Sequence, residues 1–254
     1  MSFFAALQFL TIIPLPWQRE GSPEQLGRST TYFPIVGLII GLVLVGMNWM
    51  LNLVLPPAVV NVLLIAVLVI ITGSLHLDGL VDTCDGLGGY KPVEDRWRVM
   101  RDSRAGAFGI VGVALLLLVK YVSLNSIPPF LMMGTLLFVP VVSRWAMVYA
   151  IFVYPYAHQE GLGTGPKQKT RWPQFTIATI ITFIIALVLF PLFSITGLLM
   201  ILVVWIVTTI FAFYLKCKFS GLTGDTYGAI NEVAEVTALI LASLLAHIGP
   251  GYTM

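Results

Sequence analysis

Three aspartates stand in the stretch His76-Leu77-Asp78-Gly79-Leu80-Val81-Asp82-Thr83-Cys84-Asp85-Gly86-Leu87-Gly88-Gly89. Wound as a helix at ~100° per residue, Asp78, Asp82 and Asp85 fall within about 60° of one another. Leu77, Leu80, Val81, Cys84 and Leu87 gather on the opposite side. Carboxylates crowded on one face repel unless a cation lies between them or some stay protonated. Oxygen ligands without partnering Cys or His favour Mg²⁺, Mn²⁺ or Ca²⁺ over Zn²⁺. Gly79 and Gly86 border the stripe and are expected to leave room for a phosphate. The plain alternative is a solvated end to the apolar run 57–75, but aligned acids with bordering glycines fit a site better.

Two further clusters could work with this one. In residues 90–109, Arg98, Arg101 and Asp102 are spaced to share a helix face, and Arg104 leads through Gly106 and Gly109 into the next apolar run. Arginines beside a helix N-terminus suit a phosphate, because guanidinium forks and free backbone N–H groups both attract anions. Anionic lipid headgroups would suit the same arginines. In residues 221–235, Asp225, Gly228, Glu232 and Glu235 share a face with Asn231 alongside. Glu232, Glu235 and the distant Arg144 all lie in apolar runs, where a charge costs a few kcal/mol. An ion pair between Arg144 and a glutamate would relieve that cost. The functional reading makes Arg144, Asp225, Asn231 and Glu232 substrate-binding residues in a second polar wall. His76 is a candidate base or phosphate ligand, or simply a polar helix end. The glycine-rich loop 158–167 lacks P-loop spacing and reads as a lid or a connector.

The elements that must position these residues follow from composition. Of 254 residues, 58% are hydrophobic and 10% charged, with a mean hydropathy of +0.93. That excludes an ordinary soluble domain and predicts an all-α, polytopic integral membrane helical bundle. Seven spans are expected, at about 32–55, 57–75, 107–125, 128–153, 174–193, 195–215 and 229–248. Pro140 and Arg144 predict a kink or break in the fourth. Residues 3–16 are apolar but short, and read as an interfacial or re-entrant helix. Residues 1–254 read as one domain without internal repeats. Met1-Ser2-Phe3-Phe4 lacks a basic region, so no cleaved leader is expected. Cys84 and Cys217 are expected in polar loops as free thiols.

The basic residues give the orientation. Arg19 and Arg28 precede the first span. Lys91, Arg96, Arg98, Arg101 and Arg104 lie between the second and third; Lys167, Lys169 and Arg171 between the fourth and fifth; Lys216 and Lys218 between the last two. These are twelve of the 14 Lys and Arg residues, and the intervening turns have none. The alternation predicts a cytoplasmic N-terminus and an active site on the cytoplasmic side of the plasma membrane.

The same residues carry a resemblance to the cobalamin synthase family, the adenosylcobinamide-GDP ribazoletransferases. It rests on His76-Leu77-Asp78-Gly79-Leu80 through Asp82-Thr83 and Asp85-Gly86-Leu87, and on Arg101-Asp102-Ser103-Arg104 with Gly106 and Gly109. Thr223-Gly224-Asp225 to Gly228-Ala229 with Glu232, Phe9-Leu10-Thr11 with Pro14, and Tyr32-Phe33-Pro34 with Gly37 complete it, from about residue 3 to 240. The resemblance implies an Mg²⁺-requiring transferase that joins adenosylcobinamide-GDP to α-ribazole or its 5′-phosphate and releases GMP. A looser likeness links Asp82-Thr83-Cys84-Asp85-Gly86 to the opening D-x-x-D-G of the CDP-alcohol phosphotransferases. The Ala-Arg expected next is missing, and the later aspartates are not at that family's spacing, so the ligand set stays open.

On this reading Asp78, Asp82 and Asp85 hold the metal against the pyrophosphate, with Asp82 central. Arg101 and Arg104, with Asp102 beside them, hold the nonbridging oxygens. A carboxylate or His76 takes the proton of the attacking hydroxyl. No activated Ser or Cys is evident, which favours direct in-line displacement. The expected partners are the two small substrates and membrane lipid; no nucleic-acid partner is expected, and a homo-oligomer is left open. The competing classes are a lipid-forming CDP-alcohol phosphotransferase and a divalent-cation or small-solute transporter.

Overall fold

The structure is a computed structural model that describes residues 2–14, 23–89, 92–157, 170–193 and 195–248. Its elements are helical: α1 (Ser2–Leu10), α2 (Pro23–Ser29), a 3₁₀ turn (Thr30–Tyr32), α3 (Phe33–Leu51), α4 (Pro57–Ile71), α5 (Leu75–Leu87) and α6 (Val93–Met100). Then come α7 (Ala107–Asn125), α8 (Pro129–Val153), α9 (Trp172–Val188), the single turn α10 (Phe190–Phe193), α11 (Thr196–Phe219) and α12 (Gly224–Ile248).

Among the described residues, five helices are long and apolar enough to cross a membrane: Gln25–Leu51, α7, α8, α11 and α12. The count rises to six if α4 and α5, bent by 89°, form one broken span. The structure therefore supports five or six of the seven expected spans. The expected span at 174–193 is instead the 17-residue α9 followed by the separate turn Phe190–Phe193, which Pro191 helps to set apart. As expected, α1 is too short to cross. It packs inward through Ala6, Leu7 and Leu10, with Phe9 stacked on Phe33 at 5.9 Å.

The centre of the bundle is α8, buried along most of its length. It runs as one helix through Pro140, so of the expected kink or break there is no break. Helix α3 meets it there through Gly37 and Gly41, a small-xxx-small pair that lets two backbones touch. A Cβ on Gly37 would fall on the Pro140 carbonyl, and one on Gly41 would lie 2.7 Å from that of Leu137. Close packing around a proline is what membrane helices use to tolerate its missing donor. Leu42, Trp49, Val122, Phe130 and Ile210 stay exposed, as lipid-facing side chains should.

Contacts between distant segments tie the ends of several helices together. The Thr30 and Thr170 hydroxyls lie 3.0 Å apart. The chain after α8 pairs with the chain before α12, the Ala157 N–H donating to the Leu222 carbonyl and the Leu222 N–H to that of Pro155, both at 2.8 Å. Cys84 and Cys217 are free, but they lie on α5 and α11 rather than in loops, because both helices run further than expected.

Candidate active site

The acidic helix α5 owes its direction to the end of α4. The Ser74 N–H donates to the Val69 carbonyl and the Gly73 N–H to that of Ile70, both at 2.9 Å, with φ of +60° at Gly73 and +59° at Ser74. This is a Schellman stop with glycine at the left-handed position, and it turns the chain sharply out of α4. Along α5, Asp78 is exposed, Asp82 half-buried and Asp85 buried.

Asp85 faces a helix N-terminus. Its carboxylate accepts the N–H groups of Gly106 at 2.7 Å and Gly109 at 2.8 Å, the first free donors of α7. It thus caps α7 from a neighbouring helix, where negative charge is favoured. The N-terminus expected to await a phosphate already holds this carboxylate. Gly106, Gly109 and Gly112 make the fit: a Cβ on Gly109 would lie 2.6 Å from Asp85 Oδ2, and one on Gly112 2.7 Å from Cys84 Sγ.

Helix α12 brings a fourth carboxylate. Its start is a reciprocal cap, with the Thr223 N–H donating to Thr226 Oγ1 at 2.7 Å and the Thr226 N–H to Thr223 Oγ1 at 3.3 Å. Asp225 follows in the first turn. A Cβ on Gly79 would lie 2.6 Å from the Asp225 carbonyl, so Gly79 serves the α5–α12 crossing instead of leaving room for a phosphate. Gly86 likewise lies under Met100 and Phe219. Burial, then the charges of Asp225, Asp78 and Asp85, push the Asp82 carboxyl up to about 7. Such a cluster has the chemistry of a hard-cation site. Among the described residues no three His, Cys, Asp or Glu side chains converge as a metal-ligand set. Carboxylates alone suit, by their chemistry, an ion that keeps waters and shares its shell with substrate oxygens, as Mg²⁺ commonly does.

The arginines divide into two kinds. Helix α6 stops at Met100, so Arg101 and Asp102 lie beyond it rather than on the expected shared face. Arg101, Asp102 and Arg104 are exposed. Arg104 donates from Nε at 3.1 Å and Nη2 at 2.8 Å to Asp102, whose carboxyl those bonds hold down near 2. Asp102 is thereby an orienting partner for Arg104 and a poor proton acceptor. Arg96 is buried and donates to the Gly86 carbonyl at 2.7 Å, closing the C-terminal end of α5.

The remaining candidates lie deeper. Arg144 is fully buried and donates to Glu235, the ion pair raised above as the alternative to substrate binding. Lys120 Nζ lies 2.7 Å from Glu232 and 2.5 Å from Glu235, and Asn231 donates to Glu235 at 3.2 Å. The His76 ring is 1% exposed beside Arg144, Glu235 and Lys120. Arg144, Asn231, Glu232 and His76 are therefore gathered in the bundle centre, whereas Asp225 joins the acidic stripe. Arg19, Lys91, Lys167, Lys169 and the loop 158–167 lie outside the described residues.

Comparison with known proteins decides the assignment. A family model described as cobalamin-5-phosphate synthase matches residues 2–243. The chain belongs to this cobalamin-5-phosphate synthase family. Relatives named adenosylcobinamide-GDP ribazoletransferase include one from Geotalea daltonii, 39% identical over 94% of this chain and 95% of its own. One from Syntrophobacter fumaroxidans is 37% identical over 96% and 98%. Another, from Roseiflexus sp., is 37% identical over 95% and 88%. No solved structure matches.

For this cobalamin-5-phosphate synthase family member, all three clusters fall inside the matched residues. Two residues not singled out in the sequence prove central to their arrangement. Lys120 had a readable signal, a lone lysine in an apolar span. Arg96 had none, since nothing in its spacing separates it from the exposed arginines around it.

Proposed function

We propose that the chain is an adenosylcobinamide-GDP ribazoletransferase of cobalamin synthesis, and that the open face of α5 with the start of α12 is where its phosphoryl transfer takes place. The observation that carries this reading is the like-charged cluster of Asp78, Asp82 and Asp225, with two exposed arginines in the segment that the Gly106 N–H ties to Asp85 of α5. Asp78, Asp82 and Asp225 would hold Mg²⁺. Asp85, expected among the ligands, has both oxygens engaged by backbone N–H groups and serves to position α7. When bound, the ion would withdraw charge from the pyrophosphate of the nucleotide-activated substrate.

The chain's own groups do the rest. Arg104, oriented by Asp102, and Arg101 bind the nonbridging oxygens and favour the charge that builds up on departing GMP. The hydroxyl of α-ribazole, free or 5′-phosphorylated, attacks in line and gives its proton to a carboxylate of the cluster. The buried ring of His76 is a poor candidate for that step. The exposed Asp78, Arg101 and Arg104 suit a substrate as large as a corrinoid, which needs an open mouth. The basic-residue pattern supports a cytoplasmic position for this face, in the plasma membrane.

The test uses purified protein in liposomes with Mg²⁺ and one of three offers: adenosylcobinamide-GDP with α-ribazole, CDP-diacylglycerol with an alcohol, or a labelled divalent cation alone. The reading expects adenosylcobalamin and GMP in equal amounts from the first and nothing from the others. Phospholipid formation, or cation uptake without the transferase product, would contradict it.

A further inference from the structure

The polar cluster in the bundle centre lies off the proposed reaction path, yet one face of α12 joins it to the site. At one end of that face Asp225 neighbours Asp82 and Asp78. One turn on, Gly228 lies on α5: a Cβ there would sit 3.2 Å from both Cα and O of His76. Further along the same face, Asn231, Glu232 and Glu235 meet Lys120 of α7 and Arg144 of α8. Glu235 is the hub, since Lys120, Arg144 and Asn231 all donate to it. On the α5 side His76, two residues before Asp78, is buried at this crossing, within electrostatic reach of Arg144 and Glu235.

The fixed charges of this cluster balance, with Lys120 and Arg144 against Glu232 and Glu235. Buried ion pairs of this kind are weak contributors to stability, and well-packed apolar residues often do as well or better. Among the described residues, both ring nitrogens of His76 and Nε and Nη2 of Arg144 also have no hydrogen-bond partner. Buried donors left in that way cost free energy. Stability alone is therefore a poor account of the cluster, and its connection to α5 through Gly228 and His76 supplies a better one.

We propose that Lys120, Arg144 and Glu235 form a positioning network for the transfer reaction, which through Gly228 and His76 sets how α5 crosses α12 and so holds Asp78 and Asp82 against Asp225. His76 is then a positioning residue. The inference rests on the metal-binding reading above, and its test separates the two.

Full-length protein in detergent is compared with Glu235→Gln, His76→Ala and His76→Asn. The control is Val36→Ala, a buried core change on α3, a helix that carries none of the network residues. Three quantities are measured: Mn²⁺ binding without substrate by electron paramagnetic resonance, unfolding temperature, and kcat and KM. Glu235→Gln and His76→Ala should weaken Mn²⁺ binding about tenfold, as loss of an outer-shell support does, and lower kcat with little change in KM. His76→Asn, which restores part of the buried side-chain volume at the α5–α12 crossing, should recover part of both. Val36→Ala should lower the unfolding temperature and leave Mn²⁺ binding unchanged. If Glu235→Gln does not accumulate, Lys120→Met with Glu232→Gln removes one charge of each sign and should show the same weakening. Parental Mn²⁺ affinity and kcat in the network variants, whatever their unfolding temperatures, would overturn the inference. Failure of the parent itself to bind Mn²⁺ would overturn the metal reading, and this inference with it.

Discussion

Two groups of carboxylates lie along one face of α12 and its partner α5, and they are treated in opposite ways. Glu232 and Glu235 are buried and matched by Lys120 and Arg144. Asp78, Asp82 and Asp225 are only partly buried and face one another, and Asp82 responds by holding its proton up to about 7. A protein that needed only to be stable would not leave the second group unmatched, since like charges brought together oppose folding. On the reading proposed above, the paired acids hold the helix crossing in place and the unpaired ones bind a cation and its phosphate.

The largest effect expected of this contrast is on stability. Glu235→Ala strands Arg144 in the bundle centre and should cost about 3–5 kcal/mol, the usual penalty for breaking a buried pair. Asp78→Asn should cost nothing in unfolding temperature, or should raise it by relieving repulsion. Equal destabilisation by the two would erase the distinction. Next come the arginines: Arg101→Ala and Arg104→Ala should each slow transfer by about 10- to 100-fold, the range for a lost charged hydrogen bond, with the fold unchanged in circular dichroism. If the arginines serve only lipid headgroups, both rates would stay parental in detergent. Asp85→Ala removes two backbone partners from α7 and should destabilise by about 1–3 kcal/mol, read in chemical denaturation. The smallest effect belongs to Asp95→Ala, which breaks the exposed pair with Arg98 and should shift stability by at most about 0.5 kcal/mol.

The acidic stripe, the apolar runs and the exposed Arg101 and Arg104 were legible in the sequence because each is a local pattern, a spacing or a composition. What the chain does with them was legible only in part. A helical wheel puts Asp85 on the stripe but cannot show that α7 begins opposite it. Nor can it show that Lys120 reaches Glu232 across 112 residues of sequence. Glycines were misread for a related reason. A missing side chain at Gly79 or Gly86 could admit a ligand or another helix, and the choice depends on neighbours that the local sequence does not name. Pro140 predicted a kink or break, yet α8 stays one helix where α3 packs against it, and the expected fifth span at 174–193 is divided just before Pro191. Arg144 carried two readings from the start, and Glu235 is the partner that the ion-pair reading asked for.

The central claim is that the unpaired aspartates bind the cation that the transfer needs, with Asp82 in the middle. The most direct test is an Mg²⁺ titration of the transferase rate for the parent and Asp82→Asn at pH 6, 7 and 8. A carboxyl whose pKa lies near 7 is mostly protonated at pH 6 and mostly ionised at pH 8, so proton and metal compete for it. The parent should therefore need less Mg²⁺ as pH rises through 7. Asp82→Asn should need far more at every pH, and should lose that dependence. Titration curves for Asp82→Asn that overlay those of the parent at all three pH values would contradict the account.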